Sequence, residues 1–275
     1  MSHHLLNRQD APFGAKVWEL LDDAVIAGAK SQLSVRRIID VEGPYGLGAK
    51  SFPMPDRATK ERSQAGQITA ELHGGEVIPL ASIIASFKVA SRDIAAYEST
   101  GIPFDASDAV SAGMASARQE ESVLLYGSSA LGTPGLLNVK GAGSYKLHAW
   151  TKVGAAADDL IAAITKLDEA GFPGPYALAL EPALYNLLFR RYEHVPMTEY
   201  DHLKEVATGG VVKSLGIKEG GVLVATGAQY MSVVIGQDLM AGFVGPIPGG
   251  YELTATESVA LRVRFPQAIF ALKPA

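Results

Sequence analysis

Gly43, Gly48, Lys50 and Ser51, in "GPYGLGAKS", come within one place of a phosphate-binding loop. Such a loop reads G-x-x-x-x-G-K-[ST], because the lysine must directly follow the last glycine to reach the β- and γ-phosphates. The two glycines have the right gap, but Ala49 displaces Lys50 and Ser51 by one position. Pro53 and Pro55 follow where a helix should start, so no helix N-terminus would face a phosphate. The stretch reads as a turn leading the chain into its next segment. A nucleotide-dependent enzyme is the competing reading, and a nucleotide-binding assay separates the two.

Other candidates fail on spacing. "GSSALG" (127–132) does not match the G-x-S-x-G of a nucleophile elbow. His194, Glu199 and His202, beside Asp201, have the residue types of a metal site, yet read better as a polar loop flanking a helix. Glu120 and Glu121 are paired carboxylates, but neighbours on a helix point about 100° apart, so at most one serves any single site. They read as a solvated or interfacial face. No catalytic and no metal-binding residue is assigned.

The elements around these residues are clearer. Residues 14–33 form an amphipathic helix, with Asp10 and Pro12 as start signals and Trp18, Leu21, Val25 and Ala29 as one apolar stripe. Residues 48–78 form a long two-stranded arm with a charged tip, which needs a neighbour because an isolated hairpin is marginal in water. Residues 104–127 form a second helix, capped by Asp105 or Ser107 and closed by Gly127. Its buried side is mostly Ala, Gly and Ser, with Val110, Met114 and Leu124, so another backbone can approach closely. Helices follow at 157–171, 181–193 and 200–210, and strands at 175–180, 222–226 and 230–236. A long last strand puts Leu253, Ala255, Glu257, Val259, Leu261, Val263 and Phe265 on one face. Glu257 interrupts that apolar face, which calls for an ion pair or an interface. The two "GPY" copies, at 43–45 and 174–176, are Gly-Pro turns at strand ends and not a repeat.

Composition narrows the class. Of 275 residues, 48% are apolar and 19% charged, so apolar surface is left for other copies of the chain to cover. No apolar run reaches the roughly 20 residues that span a bilayer, and no membrane partner is expected. A net charge of −5 without a basic block gives nucleic acid no electrostatic hold. Cysteine is absent, which excludes disulfides and thiolate metal sites. "MSHHLLNRQDAPF" lacks the form of a signal peptide, so a cytoplasmic location is expected.

The order of these parts, with "APFGAKVWELLDDAV" (11–25), "RRIIDVEGPYG" (36–46), "GPYALAL" (174–180), "IGQDLMAGF" (235–243), "TES" (256–258) and "FPQAIFALKP" (265–274), resembles the encapsulins. These are bacterial shell proteins with the fold of tailed-phage major capsid proteins. The resemblance implies an α+β chain that assembles into an icosahedral nanocompartment and is no enzyme. It implies a peripheral domain (1–48, 78–135 and 245–275), an extended loop (49–77) and an axial domain (136–244). It also implies a cargo partner, such as a ferritin-like protein or a dye-decolorising peroxidase, held by its C-terminal peptide. The cargo surface would be Val25, Ala29 and Leu33 on the first helix, with Arg36, Ile38 and Asp40 alternating on a following strand; the alternative is that this stripe is ordinary core. Tyr192, Glu193, His194 and Val195 would line the axial pore, or form a surface loop without a transport role. Ser91 and Arg92 stand where some members carry a flavin-stacking tryptophan, so no cofactor is expected. A prophage major capsid protein is the competing reading within the fold.

Overall fold

The computed structural model describes residues 6–54, 57–65 and 67–274; His3 and His4, Pro55 and Asp56 lie outside the described residues. The first helix, α1 (Ala15–Lys30), begins within one residue of its expected start. Neither Asp10 nor Pro12 caps it. Asp10 closes a short 3-10 turn (Arg8–Asp10), and Gly14 takes the cap position, its N–H donating to Glu98 Oε1 at 2.9 Å. The helix ends three residues early, and a second 3-10 turn, Val35–Arg37, leads into β1 (Asp40–Glu42).

The arm is made of two antiparallel ladders, β2 (Ser51–Pro53) with β5 (Val77–Pro79), and β3 (Arg57–Ala65) with β4 (Ile68–Gly74). The glycine-rich stretch is the turn between β1 and β2. Gly43 lies in the left-handed region (φ 116°), and a Cβ there would sit 2.4 Å from the Ile235 carbonyl oxygen. Glycine is thus required by closeness and conformation, not by a phosphate. Likewise, Gly174 and Pro175 directly precede a strand.

Next come β6 (Ala81–Ala90) and α2 (Ser91–Thr100), which escaped sequence reasoning, as did the later strands at Gly143–Lys146, Gly210–Lys213, Met240–Ile247 and Ile269–Lys273. After α2 comes α3 (Ser107–Tyr126), then β7 (Gly143–Lys146), α4 (Ala155–Glu169) and β8 (Tyr176–Leu180). The helix expected over 181–193 stops at Leu187 (α5, Pro182–Leu187), and α6 covers Glu199–Val206. Strands β9 (Gly210–Lys213), β10 (Gly221–Ala225), β11 (Met231–Ile235), β12 (Met240–Ile247), β13 (Gly250–Val263) and β14 (Ile269–Lys273) complete the chain.

Two five-stranded sheets organise these elements. In the first, β13 is flanked by β6 along Gly250–Val259, by β12 along Gly250–Thr256 and by β11 along Val259–Val263, with β1 parallel to β11. The second has the order β7-β14-β10-β8-β9. Sheet membership therefore departs from the expected boundaries. β11 and the first part of β12 fall within 136–244 yet hydrogen-bond to β13, while β14 falls within 245–275 yet pairs with β7 and β10.

Helix α3 serves both cores. Ala109, Ala112 and Ala117 pack with Val17, Leu21 and Val25 of α1 and with Leu253 and Ala255 of β13, whereas Leu124 and Leu125 enter the core around the second sheet. Val110 and Met114 are only half-buried. The solvated or interfacial face expected at Glu120 and Glu121 is corrected here: both carboxylates are buried inside the subunit. They diverge as helix geometry requires. Glu120 turns to Arg36, and Glu121 accepts from the backbone N–H groups of Ser34 and Val35 (2.8 and 2.9 Å) and from the Ser34 hydroxyl. Burial pushes the Glu121 carboxyl up, and these hydrogen bonds oppose it. The two glutamates thus tie the turn after α1 to the spine helix.

Candidate functional site

A groove of about 450 Å³ opens where α1 ends. Ile26, Ala29, Lys30 and Leu33 form one wall, Arg36 and Arg37 an end, and Asp238, Leu239 and Glu257 the opposite side. Positions 26, 29, 30 and 33 follow i, i+3, i+4, i+7 spacing, which holds one helix face. Leu33 lies past the last helical residue, but its N–H still reaches the Ala29 carbonyl (3.2 Å), so the spiral continues to it.

Of the six expected cargo-site residues, Ala29, Leu33 and Arg36 line this groove. The other three do not. A step of four residues advances 400°, 40° past a full turn, so the stripe drifts and Val25 is turned fully into the core beneath α3. Ile38 is core as well, at 2% exposure, and Asp40 is exposed on β1, paired in register with Ser232. Arg36, Ile38 and Asp40 do not alternate on a strand, because Arg36 sits on the 3-10 turn and Ile38 is its cap. Ile26 and Lys30 were missed, though the helical spacing marks them; Asp238 and Leu239 had no local signal.

Charge is concentrated at the Arg36 end. Glu120 grips the guanidinium with both oxygens (Nε–Oε1 2.6 Å, Nη2–Oε2 2.7 Å), Asp238 accepts from Nη1 at 2.9 Å, and Glu257 Oε2 accepts from Nη2 at 3.0 Å. The ion pair called for by the interrupted face of β13 is therefore present. Burial works against the Arg36 charge, but the three carboxylates outweigh it and hold its pKa above the usual arginine value.

The second candidate region is the excursion between α5 and α6. An isolated bridge joins Arg191 to Thr198, and the Tyr192 N–H donates to Met197 O (3.0 Å). Glu193, His194 and Val195 form its exposed tip, with His194 in the left-handed region (φ 65°). Tyr192 is turned inward, its hydroxyl 3.0 Å from His202 Nδ1. Glu199 is fully buried and accepts from the Gly154 N–H (2.7 Å) and Arg190 Nη2 (2.9 Å), so it anchors the base of the excursion. His194, at the tip, is not brought to Glu199, and among the described residues no group of three or more acidic or histidine side chains could hold a metal ion.

A family model described as "Encapsulating protein for peroxidase" matches residues 3–260. The chain belongs to the encapsulin family. Its similarity to the type 1 encapsulin shell protein EncA of Myxococcus xanthus is 30% identity, covering 98% of this chain and 96% of that one. The crystal structure of the virus-like particle from Pyrococcus furiosus superposes with a TM-score of 0.73 at 25% identity, covering 94% of this chain and 100% of that one. The capsid of Myoviridae phage XM1 shares the fold at 14% identity (TM-score 0.56; 88% and 91% covered). The chain is an encapsulin shell protein with the α+β fold of tailed-phage capsid proteins, a structural role and not a catalytic one. The two sheets joined by α3 are the frame of that fold, and the arm is the segment that leaves it.

Proposed function

We propose that copies of this chain close into an icosahedral cytoplasmic compartment, and that the groove beside α1 takes the C-terminal peptide of the enclosed enzyme. The cargo class that the family description supports is a peroxidase, and a ferritin-like protein fits the same role. The observation carrying the groove assignment is its make-up: an apolar wall from one face of α1 next to a fixed polar end at Arg36. An extended peptide with spaced small and aliphatic residues matches both parts. Nucleic acid and membrane have no part in this reading, since the net charge is −5 and no described helix is long and apolar enough to cross a bilayer. The three-part division into peripheral domain, extended loop and axial domain goes with it, with the first sheet in the peripheral part and the second in the axial part.

Ala29→Gln tests the groove. Ala29 lines the groove yet is 3% exposed and belongs to the core shared by α1 and α3, so in shells that close, cargo per shell should fall at least about tenfold, equivalent to about 1.4 kcal/mol, and failed assembly would return the stripe to the core. Cargo is counted by mass photometry of shells co-expressed with their native enzyme. Normal filling would place cargo capture elsewhere.

The exposed tip at Glu193, His194 and Val195 is placed by this reading at the axial opening, with Tyr192 as its inward anchor. Repeated around an axis, a glutamate and a histidine make a charged ring. Replacing Glu193 and His194 with alanine should change small-cation entry into a loaded shell severalfold, in stopped-flow measurements from pH 6 to 8. Identical entry curves at every pH would reject the ring.

A further inference from the structure

Beyond the groove's polar end the surface changes character. The hydroxyls of Ser34 and Ser214 lie 2.7 Å apart, which stitches the turn after α1 to the end of β9. Side chains alternate along an extended segment, so with Ser214 buried, Lys213 and Leu215 turn outward, Leu215 at 56% exposure. Three rings lie beside them. Phe189 stacks on Tyr200 with centroids 5.0 Å apart and planes at 19°, and Tyr185 meets both rings edge-on at 5.5 and 5.8 Å. Phe189 is itself 51% exposed, and large apolar side chains clustered on a surface mark a contact site. Lysines rim the rings: Lys213 Nζ is 5.7 Å from the Tyr185 centroid and Lys204 Nζ 5.5 Å from that of Tyr200. Arg37 joins the two surfaces, since it lines the groove and its charge acts on the Tyr185 hydroxyl. Arg36 is engaged by its three carboxylates, whereas Arg37, Lys204 and Lys213 form no ion pair among the described residues. Asp201 acts on Lys204 through space, but its carboxylate is occupied in capping α6 at Thr198.

We propose that this aromatic platform holds an acidic, aliphatic segment that directly precedes the targeting peptide in the cargo chain, so that groove and platform form one track. The inference rests on the peptide reading of the groove. Charge decides the kind of segment. A chain of net charge −5 repels an acidic partner over much of its surface, so three unpaired cations in one place single out carboxylates. The rings and Leu215 take the aliphatic side chains between those carboxylates. Position decides which segment it is. The peptide ends its own chain, so a stretch long enough to cross the platform can only come before it. Single surface ion pairs are weak, and the three cations together should raise loading about fivefold at low salt.

The test uses shells dissociated and reassembled around a fluorescent protein that ends in eight alternating serine and leucine residues. Three leucine–glutamate pairs precede that peptide in one probe, and three leucine–glutamine pairs in the other. Fluorescent copies per closed shell are counted at limiting probe. At low salt the glutamate probe should load about fivefold better, and in 1 M salt, where screening acts within about 3 Å, the two should load alike. Lys204→Glu combined with Lys213→Glu alters only exposed side chains, so shells should close and the order of the two probes should invert. Phe189→Ala should lower loading of both about threefold, through lost apolar contact. Ile26→Gln changes the groove wall at a residue outside the core clusters and should lower both probes to the same degree. If the two probes load equally at low salt while Ile26→Gln lowers both, the platform inference is overturned and the groove reading stands. If the double lysine variant or Phe189→Ala closes no shells, the platform is a contact between copies and the inference is overturned too. Loading of Ile26→Gln at the unmodified level overturns the groove reading and this inference with it.

Discussion

Replacing Gly113 with alanine should destabilise the subunit by about 3 kcal/mol or more, which lowers its melting temperature by roughly 6–12 °C. Two opposed effects decide this. Glycine in a helix interior is about 1 kcal/mol worse than alanine, so propensity alone predicts a gain. The crossing of α1 and α3 predicts a larger loss. A Cβ on Gly113 would lie 2.0 Å from the Val25 carbonyl oxygen, and a Cβ on Gly28 would lie 2.1 Å from that of Val110. The contacts are reciprocal, and both partners are backbone, so no side chain can swing aside. Relief requires the helices to move apart, which opens the core shared by Leu21, Val25, Ala109, Ala112 and Leu253. Overpacking of this kind costs roughly 1–3 kcal/mol even where side chains can adjust, against a typical total stability of about 5–15 kcal/mol. Thermal unfolding and shell yield measure it; a melting temperature equal to or above that of the unmodified protein would show that the crossing has slack.

That crossing was half legible in the sequence. The small residues of 104–127 announce close approach, because nothing else explains Ala, Gly and Ser on a buried helix face. Which helix approaches was not legible, since α1 and α3 are joined by the arm and the β6–α2 segment, and no local pattern records a contact across that distance. The groove repeats the lesson. Ala29 and Leu33 were reachable by helical spacing, and Glu257 by its intrusion into an apolar strand face. Val25 was misplaced because a four-residue step looks like a straight stripe on paper and drifts on a real helix. Leu239 and Asp238 carry no pattern, because their place is set by the turn between β11 and β12, which exists only once both strands pair with β13. Glu120 and Glu121 read as a solvated or interfacial face for the usual reason, that charge is rarely buried. Their burial depends on Arg36 and on the backbone of the turn at Ser34, partners more than 80 residues away. Strand pairing across the expected boundaries has the same cause: the last strand turns back into the second sheet, and pairing of that kind is not a property of the segment itself.

Deleting residues 52–65 should leave subunits that fold but do not close into shells. In the first sheet the chain makes a continuous hydrogen-bonded ladder around β13, and in the second around β10. The arm joins neither. Among the described residues β3 and β4 form a two-stranded sheet by themselves and β2 pairs with β5, while at the base of the arm Phe52 and Ile78 pack on Leu80, Val234 and Ala260. Two strands are too few to be stable alone in water, because one ladder cannot bury enough apolar surface to offset the backbone entropy it fixes. An arm of this length is therefore held by something outside its own subunit, and in a shell built from one chain that something is another copy. Of the described core side chains the deletion takes Phe52 from the small cluster of Leu80, Val234 and Ala260 and leaves the two large cores intact, so the melting temperature of the isolated subunit should stay within a few degrees of a matched unassembled control. Assembly should change far more, from closed particles to monomers or small oligomers in size-exclusion chromatography and electron microscopy. Adding the deleted variant to unmodified subunits gives a sharper reading. If the arm grips a neighbour, each deleted copy leaves one neighbour unheld, and shell yield should fall steeply with the deleted fraction. Closed particles from the deleted variant alone would show that the two sheets carry the contacts between subunits without the arm.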